Sequence, residues 1–259
     1  GHGWMSSITL ISPSYKRAKG LKTHLLLPSV VYCVGESEAE EYQDQGVNVM
    51  ACPDRVNGNI ARARNWILEQ YAEQNVLLID DDLEMIGRWI PKGAGYKAKA
   101  LDADEIEEFI ELGFSMCKEF GARMWGVNPA ADKGSYREYT PFCCKSYISG
   151  SLSGFIKPEL RYDETMPLKE DYDMTIQQCN KYRKVLRFNM VHMRKNDHGN
   201  LGGCAKYRTV QREKEQFALL QKKWGAKIVR QDKGKSMVQR QKKAGYDINP
   251  IIKIPIGGI

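Results

Sequence analysis

Residues 76–79, Val-Leu-Leu-Ile, run directly into Asp80, Asp81 and Asp82, and no other stretch limits the possible folds as strongly. Four apolar residues without polar alternation describe a strand covered on both faces, as in the parallel sheet of an α/β protein. Aspartates placed immediately after such a strand lie at the carboxyl edge of the sheet, where open α/β folds put their ligands. Three adjacent carboxylates repel one another, and a divalent cation relieves that repulsion. With extended backbone through the three, Asp80 and Asp82 point the same way and share one hard metal with a pyrophosphate, while Asp81 faces away. The competing reading is a solvated turn capping a helix that starts near Leu83.

The flanking segments favour the α/β reading. Residues 8–12 (Ile-Thr-Leu-Ile-Ser), 30–34 (Val-Val-Tyr-Cys-Val) and 47–51 read as strands, with an acidic helix over 36–45 and a short helix or linker over 22–29. Strand, helix and strand in succession imply parallel pairing with right-handed crossovers. Ser12, Pro13, Tyr15 and Arg17 follow the first strand, a ring and a cation suited to a base and a phosphate. After Gly58 and Asn59, the spacing of Ile60, Ala63 and Ile67 predicts a helix. Arg62, Arg64 and Asn65 lie in its first turns, where backbone amides already favour anions.

Further along, residues 87–100 are rich in Gly and Lys and read as a mobile loop beside the site. Asp102 or Asp104 caps a helix over about 105–120, whose stripe of Ile106, Phe109, Ile110, Phe114 and Cys117 faces the core. Residues 149–155, Ser-Gly-Ser-Leu-Ser-Gly-Phe, form either an ordinary turn or a loop where backbone approaches a sugar. Glu170 and Asp171 open another helix, as N-cap acids or as reacting groups. A strand over 185–193 carries His192, and His198 follows in a Gly-rich loop.

Charge divides the chain. The net +7 conceals 25 Lys and Arg against 28 Asp and Glu in the first 205 residues, and 14 against 4 from Lys206 onward. A basic extension on a slightly acidic body suggests a polyanionic partner, and nucleic acid is the obvious one. Lys97, Lys99, Lys235, Arg240, Lys242 and Lys243 are the expected phosphate contacts, with a solubilising surface as the alternative. The expected organisation is a catalytic domain over 5–205 and a basic, largely helical extension over 206–259 packed on it. Within the extension, residues 207–224 read as a helix with Val210, Phe217, Leu220, Gln221 and Trp224 toward the body. Seven cysteines, an odd number, fit reduced thiols in a cytoplasmic setting. No apolar run approaches the roughly 20 residues of a membrane span, and no signal-peptide pattern appears.

The order of a first strand with a basic turn, Gly58-Asn59-Ile60-Ala61-Arg62-Ala63-Arg64-Asn65, and a strand ending in Asp80-Asp81-Asp82 resembles the nucleotide-sugar half of GT-A glycosyltransferases. The resemblance implies a GT-A, Rossmann-like sheet, mixed but mainly parallel and flanked by helices. It also implies a UDP-sugar donor, with Mn or Mg held by Asp80 and Asp82. Glu170-Asp171, about 90 residues later, matches the Glu-Asp of inverting GT-A enzymes, which makes Asp171 the general base and Glu170 a ligand for a sugar or acceptor hydroxyl. Metal-dependent relatives take a third ligand from a histidine after that helix. Residues 189–194 resemble the corresponding stretch of animal β-1,4-galactosyltransferases, which favours His192 over His198.

Residues 8–203 as a whole most closely resemble phage-type glycosyltransferases encoded beside TET/JBP-like dioxygenases, relatives of the base J glucosyltransferase. Ile11-Ser12-Pro13-Ser14-Tyr15-Lys16-Arg17, Ile79-Asp80-Asp81-Asp82-Leu83 and Lys169-Glu170-Asp171-Tyr172-Asp173 carry the likeness. It implies transfer of a sugar, glucose by expectation, from UDP to a 5-hydroxymethylpyrimidine of DNA in a host cytoplasm. A glycosyltransferase acting on a cell-surface or capsular glycan, and a non-catalytic nucleic-acid-binding module of the same fold, are the alternatives.

Overall fold

The computed structural model describes residues 8–129, 140–195, 208–232 and 249–256. Four strands, β1 (Ile8–Pro13), β2 (Val31–Gly35), β3 (Asn48–Cys52) and β4 (Asn75–Ile79), pair in parallel in the order β3-β2-β1-β4. Short helices α1 (Thr23–Leu26) and α2 (Ala39–Gln43) and the longer α3 (Ile60–Gln70) make the crossovers. The apolar run in β4 behaves as its composition requires. Leu77 and Ile79 enter one core with Leu10, Tyr32 and Trp125, and Val76 and Leu78 enter the other with Ile11, Ile67 and Leu68. A strand with both faces dry has no place for a polar residue until it ends.

Beyond β4 the sheet becomes mixed. β9 (Leu152–Ile156) is inserted antiparallel between β4 and β7 (Met124–Asn128), and β10 (Leu186–Lys195) runs parallel to β7. The full order is β3-β2-β1-β4-β9-β7-β10-β5-β6, with β5 (Leu83–Lys92) and β6 (Gly95–Ala100) last and β8 (Phe142–Cys143) paired to β10. Most strands of this sheet share one direction, so the α/β, mainly parallel expectation holds. Helix α4 (Ala103–Glu119) packs Ile106, Ile110, Phe114 and Cys117 on one face of the sheet, and Asp102 and Glu105 close a capping box at its start. Helix α5 (Glu170–Tyr182) covers the other face through Met174, Ile176 and Cys179.

Two expectations are corrected here. No helix starts at Leu83, and residues 87–100 are not a loop: β5 (Leu83–Lys92) and β6 (Gly95–Ala100) form an antiparallel hairpin at the sheet edge. Its turn needs only two residues, and Gly93 supplies the positive φ of 60°. The Gly and Lys content that suggested a loop belongs to an exposed edge strand, where lysines discourage further pairing. Likewise, the small-residue stretch 149–155 runs from Leu152 onward into a central strand, β9. A Cβ at Gly154 would lie 2.0 Å from the Trp125 indole nitrogen, so that glycine serves packing.

In the C-terminal part, α6 (Val210–Trp224) packs on the body through Glu213, Gln216 and Leu220, and β11 (Val229–Gln231) pairs with β12 (Pro250–Ile252) in a small antiparallel sheet. Val210 is exposed rather than core-facing, because the helix starts there and its buried stripe runs through 213, 216 and 220. Among the described residues no helix is long and apolar enough to cross a membrane.

Candidate active site

The carboxyl ends of β1 and β4, the start of α3 and the N-terminus of α5 surround a cleft of about 270 Å³. Asp80 leaves the strand by donating its N–H to the Ser151 carbonyl (2.9 Å), and the Asp81 carbonyl accepts the N–H groups of Lys22 (2.9 Å) and Thr23 (3.3 Å). The Thr23 hydroxyl donates to the Asp80 carbonyl and accepts from the Leu83 N–H (3.2 Å). These bonds to Thr23, Lys22 and Ser151 tie the turn to its neighbours, and the three carboxylates are aimed from a braced backbone.

They are not aimed as strand alternation predicts. Asp81 does not face away: it accepts the Ser14 hydroxyl at 2.6 Å and pairs with Arg17 at 3.2 Å, while Asp82 meets the same guanidinium at 3.1 Å. Asp80 turns to the other wall, to Lys195 at 2.7 Å and Arg64 at 3.7 Å. The physical reason is that β4 ends at Ile79, so the two-residue period lapses where it was applied. All three carboxylates line the cleft.

Their environments separate their acidities. Burial alone would raise Asp80, but the Lys195 ammonium and the Arg64 guanidinium outweigh it and hold that carboxyl below its usual value. For Asp81 burial prevails over Arg17 and Ser14, with repulsion from Asp80 and Asp82 added, and the carboxyl is pushed up to about 6. Asp82 is also raised, first by burial. A carboxyl whose folded value exceeds its unfolded one binds its proton more tightly when folded, so stability falls as pH rises between the two. Wild type should therefore lose stability relative to Asp81→Asn between about pH 4 and 6, and the difference should be flat on either side. Chemical denaturation at closely spaced pH values measures this, and a difference independent of pH would show that Arg17 cancels the effect of burial.

The opposite wall is the first turn of α5. Asp171 accepts the Tyr147 hydroxyl and the Gly150 N–H (2.9 Å) on one oxygen, and its neighbour's N–H at Tyr172 (3.0 Å) on the other. Tyr147 and Tyr172 stack at 4.0 Å beside it. Arg64, only 3% exposed, joins the two acid groups: it donates to Glu170 at 2.8 Å and to the Gly150 carbonyl at 3.1 Å, and it reaches toward Asp80. A Cβ at Gly150 would sit 2.7 Å from both terminal nitrogens of Arg64, so a larger residue there would have to displace the guanidinium. Burial, reinforced by Asp171 and opposed by Arg64, pushes the Glu170 carboxyl up to about 8.

Of the residues expected at the site, Pro13, Tyr15, Arg17, Asp80, Asp81, Asp82, Glu170 and Asp171 are brought together around the cleft. Others are not. Ser12 is buried within β1. Arg62 donates to the Asn57 carbonyl and lines a different hollow, because two positions along a helix turn it away from Arg64. Asn65 clasps the backbone of Tyr162 on both sides, at 2.8 and 2.7 Å. Lys97 and Lys99 stand on the edge strand β6, with Lys99 paired to Glu105.

His192 is corrected most sharply. It lies inside the sheet, fully buried, 4.2 Å from the Trp89 ring and against Gly87, and it does not line the cleft. Burial lowers its pKa. The strand carrying it continues three residues further, and it is Lys195 at its end that meets Asp80. Among the described residues no three His, Cys, Asp or Glu side chains form a metal-holding group. His198, Lys235, Arg240, Lys242 and Lys243 lie outside the described residues. Lys195 and Tyr147 escaped sequence reading: one sits at the end of an apolar strand and the other in a stretch without pattern.

A family model described as TET-associated glycosyltransferase matches residues 8–203. No curated protein sequence matches the chain. Among solved structures, a mycobacterial protein is 9% identical with a TM-score of 0.50, over 95% of this chain and 83% of that one. S. aureus TarS 1–349 is 12% identical with a TM-score of 0.46, over 83% of this chain and 64% of that one. The same TarS fragment in complex with UDP gives 12% and 0.44, over 72% and 60%. The chain thus spans less than two thirds of the TarS fragment it matches.

Proposed function

Because this chain belongs to the TET-associated glycosyltransferase family, we propose that it transfers a sugar, glucose by preference, from UDP to the hydroxymethyl oxygen of a 5-hydroxymethylpyrimidine in DNA. The observation that carries the reading is the position of Asp171. It lines the same cleft as Asp80, Asp81 and Asp82, and Tyr147 and Gly150 hold one of its oxygens. An alcohol does not ionise unaided at neutral pH, so a positioned carboxylate must take its proton as the oxygen attacks the anomeric carbon. One direct displacement forms the new glycosidic bond, breaks the bond to UDP and inverts the anomeric centre.

The diphosphate must be received by a cleft lined by five carboxyl groups, Asp80, Asp81, Asp82, Glu170 and Asp171, of which Glu170, pushed up to about 8, carries a proton at neutral pH. Of the cations lining it, Lys169 and Arg208 both pair with Glu213, which leaves Arg17, Arg64 and Lys195 against the other four. That excess of carboxylate, presented as hard oxygen donors, fits Mg or Mn, and Asp80 and Asp82 are the residues that would hold it. When bound, the ion supplies positive charge to the departing diphosphate. Arg17 and Lys195 would exchange carboxylate for phosphate oxygens as the donor enters, and Tyr15 would meet the uracil.

The acceptor base has to leave its stack to reach Asp171, as enzymes acting on bases require, or be single-stranded. The stacked Tyr147 and Tyr172 rings give it an aromatic surface. Lys97, Lys99 and the basic C-terminal residues would hold flanking phosphates, and a DNA acceptor would make this a cytoplasmic enzyme. Incubation of the protein with UDP-sugars, Mn and DNA containing hydroxymethylcytosine or hydroxymethyluracil, followed by mass spectrometry of the nucleosides, should show hexosylated pyrimidine. DNA binding should weaken by orders of magnitude between low and moderate salt. Unchanged nucleosides with every donor, alongside transfer to a glycan acceptor, would replace the DNA reading with a cell-surface one.

A further inference from the structure

Helix α6 lies beyond residues 8–203, yet it grips the turn that presents Glu170 and Asp171 at three points. The Lys169 ammonium, 1% exposed, is ion-paired to Glu213, which is itself fully buried and also meets Arg208 at 2.9 Å. The Leu168 N–H donates to the Gln216 side chain at 2.6 Å. On the far side of the acids, Asp173 accepts the Trp224 indole N–H at 2.8 Å and pairs with Lys223 at 2.9 Å. Residues 168, 169 and 173 therefore bracket 170 and 171, and each is held by α6.

Stability does not explain this arrangement. A lysine at the start of a helix opposes the helix dipole, and a buried ion pair is roughly neutral against apolar residues of similar size. What such a pair does supply is a unique position. We infer that Glu213 is a positioning residue which, through Lys169, fixes the first turn of α5 and with it Glu170 and Asp171. The C-terminal extension is thus a working part of the active site in addition to a nucleic-acid surface. This rests on the role proposed above for Asp171.

The test uses the full chain with Glu213→Gln and with the double variant Lys169→Met/Glu213→Leu, which removes both charges and keeps the fold should the single variant fail to hold it. In the double variant a single cooperative melt, UDP affinity within about twofold of wild type and a kcat lower by about 10²-fold with donor KM unchanged are expected, the loss typical of a misplaced reacting group. Amide hydrogen exchange should accelerate at residues 170–175 and stay unchanged in β1. A kcat per folded molecule within about twofold of wild type would overturn the inference, since a purely structural contact alters stability alone. If wild type transfers sugar to no acceptor, the proposed function fails instead. The exchange comparison then decides this point by itself, and unchanged protection at 170–175 overturns it.

Discussion

Asp171→Asn leaves a folded protein that binds UDP normally and has lost sugar transfer, with kcat lower by about 10²–10⁴-fold, the contribution of a general base. Asparagine keeps the size of the side chain, and its oxygen can still accept from the Tyr147 hydroxyl and the Gly150 N–H, giving up only the bond from the Tyr172 N–H, so the loss reports proton transfer and not collapse of the turn. Isothermal calorimetry with UDP and single-turnover nucleoside analysis separate the two steps. Transfer within tenfold of wild type would show that another group takes the proton, and Glu170, held up near 8 by burial, is the group to examine next.

The largest effect on stability belongs to Arg64. Replacement by methionine leaves Glu170 and Asp80 facing each other across the cleft without the guanidinium that now joins them. Breaking a buried pair from one side costs about 3–5 kcal/mol, and urea denaturation at neutral pH should show a loss of that order. The penalty should grow above about pH 8, where Glu170 ionises beside Arg64 but stays protonated, or buries a bare charge, without it. Arg64→Met/Glu170→Gln should recover most of the loss, a coupling visible in a double-mutant cycle. Arg62→Met, at a position outside the cleft, should change stability by less than about 1 kcal/mol. Equal losses at 62 and 64 would contradict the geometry described here.

The two arginines show where sequence reading stops. Both lie in the first turns of α3, and the spacing of Ile60, Ala63 and Ile67 announces the helix. Which arginine enters the cleft depends on the azimuth of that helix against β9 and α5, elements about 90 and 110 residues further on. Local pattern holds no record of that angle. The histidine is a similar case. A His near the end of a strand after the acid pair was a reasonable candidate, but the strand runs on to Lys195, and strand ends are set by what the neighbouring strands offer in hydrogen bonds.

Composition also misled where two physical causes share one residue type. Glycine in 149–155 suggested approach to a ligand, and Gly150 does admit a buried guanidinium, but Gly154 admits the Trp125 ring of the core. Glycine and lysine in 87–100 suggested a loop and form an edge hairpin. In each case the residue removes a constraint, and only the neighbour that fills the space says why.

What the sequence alone determined is the α/β sheet and the location of its chemistry. An apolar strand broken by three aspartates can be buried only between two layers and can place those acids only at its carboxyl end, and a Glu-Asp pair opening a later helix marks a second acidic wall. The tertiary structure alone decided that Asp81 turns inward with Asp82 onto Arg17, that Lys195 meets Asp80 while His192 stays in the core, and that α6 holds the turn beneath Asp171. Those outcomes depend on distances between residues remote in the chain, which burial and charge settle only once the sheet has closed.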